Sequence, residues 1–418
     1  MQFSRSLYLY LTLAFVGAHL ASQPAGAVVA VPIAVPTESA AAFEYHFVSN
    51  SFYVADQILS LLFPLILLLT RWGSRFHETL VRLTGGRRYL SLTLFAGGFF
   101  LLAGLLRLPL LYFWNLAYDH AIGVQGQALA EWVTNQMLGL LLPIFGMAVL
   151  ALVVYWSIAK SPRRWWLWAT VPLATIALLA LLGEPFTQRL KPLGDTPIES
   201  KIIALAARAG VPANALVTEH CEPANSCPPG RVIGLGPSRR LILDDVLLAR
   251  LPEDQLLQVV AHEAKHYAMD DNIKAFLMIC SLLLAGFWLV DRLGHWMIAR
   301  WSWRFGFSAL GNPASLPLIV VLLTSTYLVV LPGISIFRQH VEHEADRFGL
   351  ELNQDNRAAA LVMVEDTKNM PLMVVDYAPL YRLFRATHPS IGDRIRFANM
   401  YHPWLEGTPL VYGDNFKL

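Results

Sequence analysis

Charge is what this 418-residue chain has least of. Only 15% of its residues are Asp, Glu, Lys or Arg, against about a quarter in ordinary soluble domains. That shortfall argues against a single soluble globule, and a hydrophobic share of 55% argues against disorder. Basic and acidic residues nearly cancel, 32 against 30, for a formal net charge of +2. Such a balance gives no case for a nucleic-acid partner, which calls for a strongly basic patch or stripe. Three cysteines exclude a disulfide-dense secreted scaffold. What the chain does have is long apolar runs.

A bilayer span needs about 20 mostly apolar residues. Six runs qualify: Tyr53–Thr70, Leu90–Phe113, Thr134–Trp156, Trp165–Gly183, Ile273–Val290 and Leu316–Phe337. A seventh, Leu7–Ala21, is short and precedes the small-residue stretch Ala25-Gly26-Ala27, so residues 1–27 read as a signal anchor or a cleaved signal peptide. The remaining organisation is a transmembrane region over 28–183, a soluble insert over 184–272, two further spans within 273–337 and a soluble tail over 338–418. Insert and tail form one domain if the last two spans make a hairpin. The fold class expected is a mainly α membrane bundle with a small α+β domain.

Within the insert, Ser200–Gly210 has helical spacing, and Arg231–Leu235 and Arg239–Leu243 flank the turn signal Gly236-Pro237-Ser238, which predicts a hairpin. Pro252, Glu253 and Asp254 open a helix that runs into His262-Glu263-Ala264-Lys265-His266, an H-E-x-x-H pattern. Positions i and i+4 share a helix face. His262 and His266 can therefore grip one zinc ion with Glu263 beside it as general base, the zinc-metallopeptidase arrangement. Two imidazoles leave room for a third protein ligand and an open position for water. The pattern alone occurs by coincidence often enough to need context. Candidates for the third ligand cluster after the last span, in Gln339-His340-Val341-Glu342-His343-Glu344-Ala345-Asp346. Arg338, Glu342 and Asp346 fall at i, i+4 and i+8, one helical stripe. Read alone, it is a solvated charged face; beside H-E-x-x-H, it offers a carboxylate ligand and an aspartate that orients a ligating histidine.

Glu342-His343-Glu344-Ala345-Asp346 resembles the E-x-x-A-D pattern of the type I CAAX prenyl proteases and their bacterial relatives, which are integral-membrane zinc metalloproteases. The order of parts is similar too: an insert after the fifth span with H-E-x-x-H, two more spans, then E-x-x-A-D. Segments Arg231–Gly236 and Arg240–Leu248 resemble the strand pair before that family's zinc helix, and His388-Pro389 through Arg394 resembles its H-P-x-x-x-x-R stretch. The resemblance implies one zinc bound by His262, His266 and Glu342, with Glu263 as general base and His388 stabilising the oxyanion. It also implies supporting roles for Asp346, Arg338 and Arg394. An extended peptide would pair along Val232, Ile233 and Gly234 by β-augmentation. It further implies a seven-helix bundle around a water-filled chamber. Three departures stand out: Lys265 replaces a usual Gly, Arg338 lies four rather than three residues before Glu342, and Pro229-Gly230 replaces Asn-Ala.

Short loops rich in Lys and Arg stay cytoplasmic. Arg71, Arg75, Arg82, Arg87, Arg88, Lys160, Arg163, Arg164, Arg292, Arg300 and Arg304 fall on one side with Arg5, while the opposite loops, Gln23–Phe52 and Trp114–Val133, hold no Lys or Arg. The insert and tail then lie outside the cytoplasm. The resemblance points the other way, because eukaryotic members are described with a cytosol-facing site. Cys221 and Cys227 suit either a short-loop disulfide in an oxidising compartment or a second metal site with His220; Cys280, inside a span, suits packing. Asp56, Gln57, Arg107, Asn135 and Gln136, in or at the ends of spans, line a hydrated chamber or bond helix to helix. The expected function is an integral-membrane zinc metalloendopeptidase in a bacterial inner membrane. Its expected partners are membrane lipid and membrane-associated or extracytoplasmic polypeptides, lipidated or not. The alternatives are a membrane transporter and a zinc-binding relative that does not cut.

Overall fold

The computed structural model describes residues 31–123, 126–194, 196–220, 230–370 and 372–417. The expected first hydrophobic run, and the pair Cys221 and Cys227, lie outside the described residues. Six described helices are long and apolar enough to cross a membrane: α1 (Ala40–Leu69), α3 (Arg88–Leu111, continued to Ala121 through a π-helical stretch), α4 (Leu129–Lys160), α5 (Trp165–Thr187), α9 (Asp271–Phe305) and α10 (Leu316–Asn353). A short amphipathic helix, α2 (Trp72–Leu83), joins α1 to α3. Pro64, Pro109, Pro143 and Pro332 lie inside spanning helices. Neighbouring helices and local adjustments re-satisfy the backbone groups such prolines free.

The helices outrun their apolar runs. At about 1.5 Å per residue, α10's 38 residues extend well past a hydrocarbon core of about 30 Å. Its last turns, from Gln339 on, are polar. The bundle core is aromatic and aliphatic, with Phe95, Tyr155, Trp165 and Phe287 buried together. Two polar contacts cross it: Trp165 donates to Asp291 at 2.7 Å, and the Tyr155 hydroxyl meets Ser315 at 2.8 Å. Asp56 and Arg107 form a two-bonded ion pair between α1 and α3 at 2.6 and 2.8 Å. For these two residues the contact is helix to helix.

All three basic loops gather at one end of the bundle. Ser74 donates to the Phe305 carbonyl at 2.7 Å, Arg71 to Arg304 at 3.3 Å and Arg88 to Gly311 at 3.4 Å. A Cβ on Gly311 would lie 3.2 Å from Ile158, two residues before Lys160. The other end of α9 begins at Asp271, beside the shorter helices and the sheet.

Those elements are α6 (Pro197–Arg208), α7 (Asp245–Arg250), α8 (Glu253–Ala268), α11 (Asn356–Asn369), α12 (Pro379–Phe384) and α13 (Ile391–Met400), with strands β1 (Leu190–Pro192), β2 (Leu216–Glu219), β3 (Gly230–Ile233) and β4 (Arg240–Asp244). Helix α6 starts at a capping box between Thr196 and Glu199 with Pro197 in its first turn, the arrangement that satisfies two free N–H groups. The sheet order is β1-β2-β4-β3. β3 and β4 pair antiparallel with Val232 opposite Leu241, and β2 and β4 run parallel. Helix α8 lies between this sheet and the end of α10, sharing a core of Leu241, Leu243, Leu256, Val260, Phe348 and Leu352. Close contact is possible because residue 349 is glycine: a Cβ there would sit 3.1 Å from the His262 nitrogen and 3.0 Å from the Gln258 amide.

Candidate metal centre

His262 and His266 occupy successive turns of α8, with ring centroids 5.2 Å apart. Glu342 comes from α10. Its Oε2 lies 3.3 Å from His262 Nε2 and 3.6 Å from His266 Nε2, and the three ligand-capable atoms lie within 4.8 Å of one another. A chain gap of 76 residues separates Glu342 from His266, bridged by the hairpin of α9 and α10.

Each imidazole is aimed by a carboxylate on its other nitrogen. Asp346, one turn beyond Glu342, meets His262 Nδ1 at 3.0 Å. Asp271 meets His266 Nδ1 at 2.8 Å. This turns both Nε2 atoms toward Glu342 and makes them more basic, the outer-shell device typical of metal-ligating histidines. The backbone geometry serves it: Asp270 adopts a left-handed conformation, φ 54°, which Asp tolerates better than most residues. The chain turns sharply there and delivers Asp271 back to His266.

The aspartates are themselves held. Arg394 of α13 grips Asp346 through two hydrogen bonds, 2.9 and 2.6 Å, and Asp346 keeps the guanidinium charged despite its burial. Lys265, only 3% exposed, donates to Asp271 at 2.7 Å and to the Val341 carbonyl at 2.7 Å. The departure from glycine at this position thus places a buried ammonium that ties α8 to α9 and α10. Arg338 is exposed and makes no ion pair or hydrogen bond through its side chain among the described residues. The helical stripe put it near Glu342, but it is Arg394 that reaches Asp346.

Burial would lower the pKa of both histidines, yet the hydrogen bonds to Asp346 and Glu342 hold His262 above its ordinary value. Those to Asp271 and Glu342 lift His266 to about 10. The pocket is thus set to hold positive charge. A divalent cation answers the same demand, and two imidazoles with one carboxylate are a donor set that zinc accepts with one position left open. The residues present fit the metal.

Glu263 and His388 face the same space. A cavity of about 260 Å³ is lined by both, along with Gly230, His262, Asp346, Arg394 and residues of α11 and α13. A Cβ on Gly230 would come within 2.9 Å of the Glu263 side chain, so β3 begins directly against it. His388 Nε2 lies 3.3 Å from Glu342, and its Nδ1 meets the Thr387 hydroxyl at 2.8 Å. Protein crowding pulls the His388 pKa down to about 4. Since 47% of its side chain opens on the cavity, water resists part of that shift; the imidazole is neutral near neutral pH either way.

β3, which carries Val232 and Ile233 and ends just before Gly234, is an edge strand, but its open side is not bare. The Asn272 amide donates to the carbonyls of Val232 and Gly234 at 3.1 and 3.0 Å. Ile233 turns its side chain into a small cluster with Val217 and Ile242. Sequence reasoning missed Asn272, Asp271 and the use of Lys265. A signal existed only for Asp271, an acidic residue five positions after the second histidine.

Residues 192–401 match peptidase family M48. The chain belongs to that family. Residues 36–187 match a second family, described as the CAAX prenyl protease N-terminal region with five membrane helices. Among curated relatives, the uncharacterized metalloprotease YhfN of Bacillus subtilis is 28% identical over 374 residues, 87% of this chain and 86% of that protein. A CAAX prenyl protease 1 homolog of Dictyostelium discoideum is 25% identical over 304 residues, 69% and 68% of the two chains. The crystal structure of S. mikatae Ste24p shares the fold at a TM-score of 0.64 and 18% identity, covering 85% of this chain and 87% of that one. This M48 member is therefore a multi-pass membrane metalloprotease with a metal cofactor and a polypeptide substrate. The transporter alternative gives way to the family.

Proposed function

We propose that this M48 member is a zinc metalloendopeptidase of a bacterial cell membrane that cuts extracytoplasmic or membrane-associated polypeptides. The observation that carries the reading is the convergence of His262, His266 and Glu342, each imidazole backed by an aspartate. One zinc held by these three residues would supply Lewis acidity, polarising a carbonyl and acidifying water.

The chain's own groups do the rest. Glu263 sits between the two ligand positions on α8 and against β3, where it takes a proton from the attacking water and passes it to the leaving amine. His388, neutral and open to the cavity, donates a hydrogen bond where negative charge develops on the carbonyl oxygen. When the Thr387 hydroxyl donates to Nδ1, Nε2 carries the proton and points inward. The peptide backbone approaches along β3 at the Gly230 end, beside Glu263, because Asn272 occupies two acceptors further along. Arg394 holds Asp346 in line; Arg338 is assigned no part in the chemistry.

The outward orientation is supported by the gathering of the basic loops at the end of the bundle away from Asp271. The likeness to YhfN supports a bacterial setting. Metal content and peptide cleavage, measured side by side for the native chain and Glu263→Ala, test the proposal. Both should carry about one zinc per chain, with cleavage falling by about 10²- to 10⁴-fold in the variant. A native chain free of zinc, or a variant that cuts as well as the native chain, refutes it.

A further inference from the structure

Beyond the catalytic groups, the cavity has a composition of its own. Leu350, Val362, Met363 and Phe397 give it apolar walls. Asp366, on α11, faces the same space. Its carboxylate makes no hydrogen bond or ion pair among the described residues. The cations whose fields reach it are Arg394 and Arg250, and Arg394 is already committed to Asp346 through two bonds. Burial holds the Asp366 pKa above the ordinary carboxylate value.

Nothing in the metal centre uses this carboxylate, which borders the cavity beside its apolar walls. At about 260 Å³ the space falls just below the range of sites for whole small molecules, about 300–1,000 Å³, and suits one long side chain. Because Glu263 and His388 line the same cavity, that side chain belongs to a residue flanking the scissile bond. A lysine or arginine brings an aliphatic stem for the apolar walls and a cation for the carboxylate. An acidic side chain meets Asp366 and is rejected.

Resting on the peptidase reading, we propose that this cavity is a specificity pocket in which Asp366 selects substrates with a basic residue next to the cleaved bond.

The experiment uses the full-length protein in detergent or reconstituted vesicles. Three otherwise identical peptides carry Lys, Leu or Glu at each position flanking the bond. Cleavage is measured with the native chain and with Asp366→Asn, an isosteric change. Binding is measured by fluorescence anisotropy on Glu263→Ala, with and without Asp366→Asn. The expected native preference in kcat/KM for Lys over Leu is about tenfold, the worth of one charge-assisted contact, with Glu poorest. Asp366→Asn should bring the Lys-to-Leu ratio close to one, and Asp366→Glu should keep Lys ahead. The anisotropy ratios should follow the same order. If peptides are cut with no preference for Lys, or if the preference survives Asp366→Asn, the pocket assignment is overturned and the peptidase stands. If Glu263→Ala binds the Lys peptide preferentially through Asp366 while the native chain cuts nothing, the pocket stands and the peptidase reading falls. If no peptide is bound or cut, both fall.

Discussion

At the scale of single residues, the site is a set of nested dependencies. Glu342 and two imidazoles face one another, two aspartates aim the imidazoles, and Arg394 and Lys265 hold the aspartates. Outer partners of this kind are typically worth 10- to 100-fold in metal affinity. Asp346→Asn and Asp271→Asn should each weaken zinc binding by about that factor, read by competition with a chelator, while Arg338→Ala leaves it unchanged. Equal losses at Arg338 and Asp346 would contradict the assignment. The histidine pKa values set a pH dependence with a definite sign. His266 is raised to about 10 in the metal-free protein, so it is protonated through neutral pH, and a metal must displace that proton. Zinc affinity therefore climbs as pH rises through neutrality toward about 10, with net proton release. Calorimetry in buffers of different ionisation enthalpy measures the release; zinc binding with no proton released sinks this account. The two motifs were legible because each is local, four residues apart on one helix face. Asp271 was harder to read, because its role depends on a left-handed turn at Asp270 that no local pattern announces.

At the scale of elements, two contacts decide how well the parts register. Helices α8 and α10 meet through Gly349, where an added Cβ would press on the His262 backbone as well as on the Gln258 side-chain amide. Gly349→Val should lower thermal stability and reduce cleavage by at least about tenfold, since displacement of even 1 Å from catalytic geometry costs about that much or more. Cleavage at the native rate would show that the helices do not need this closeness. Inside the bundle, the Asp56–Arg107 pair joins α1 to α3. Arg107 keeps 46% of its side chain clear of protein contact, so the bundle encloses the pair only in part. A double-mutant cycle in detergent should give a coupling of about 1 kcal/mol; zero coupling would mean that both charges are independently hydrated. Sequence pattern found the spans but not their full length. Hydropathy ends where polar residues begin, whereas α10 carries on unbroken from Leu316 to Asn353, because helical hydrogen bonding does not stop at the membrane boundary.

At the scale of the whole molecule, the hairpin of α9 and α10 is what makes one site from two distant segments. It also fixes which way the site faces relative to the basic loops. Legibility here was uneven. The charge asymmetry could be read directly, because Lys and Arg counts need no fold. The pairing of Arg394 with Asp346 rather than Arg338 depended on how α13 folds back onto α10, which spacing along one helix does not reveal. The segments carrying Arg71, Arg88 and Arg304 touch one another, and the metal centre sits beyond the opposite end of α9, which runs from Asp271 to a kink at Trp301, about 45 Å at 1.5 Å per residue. If Lys- and Arg-rich loops stay inside, the two ends lie on opposite sides of the membrane. In a background with all three cysteines replaced by serine, single cysteines at Arg75 and Arg163 should react with a membrane-impermeant maleimide only after the cells are opened. A cysteine at Glu365 on α11 should react in intact cells. The reversed pattern would turn the catalytic domain inward. Its substrates would then be cytoplasmic polypeptides, and the acidic pocket would have to be tested against those instead.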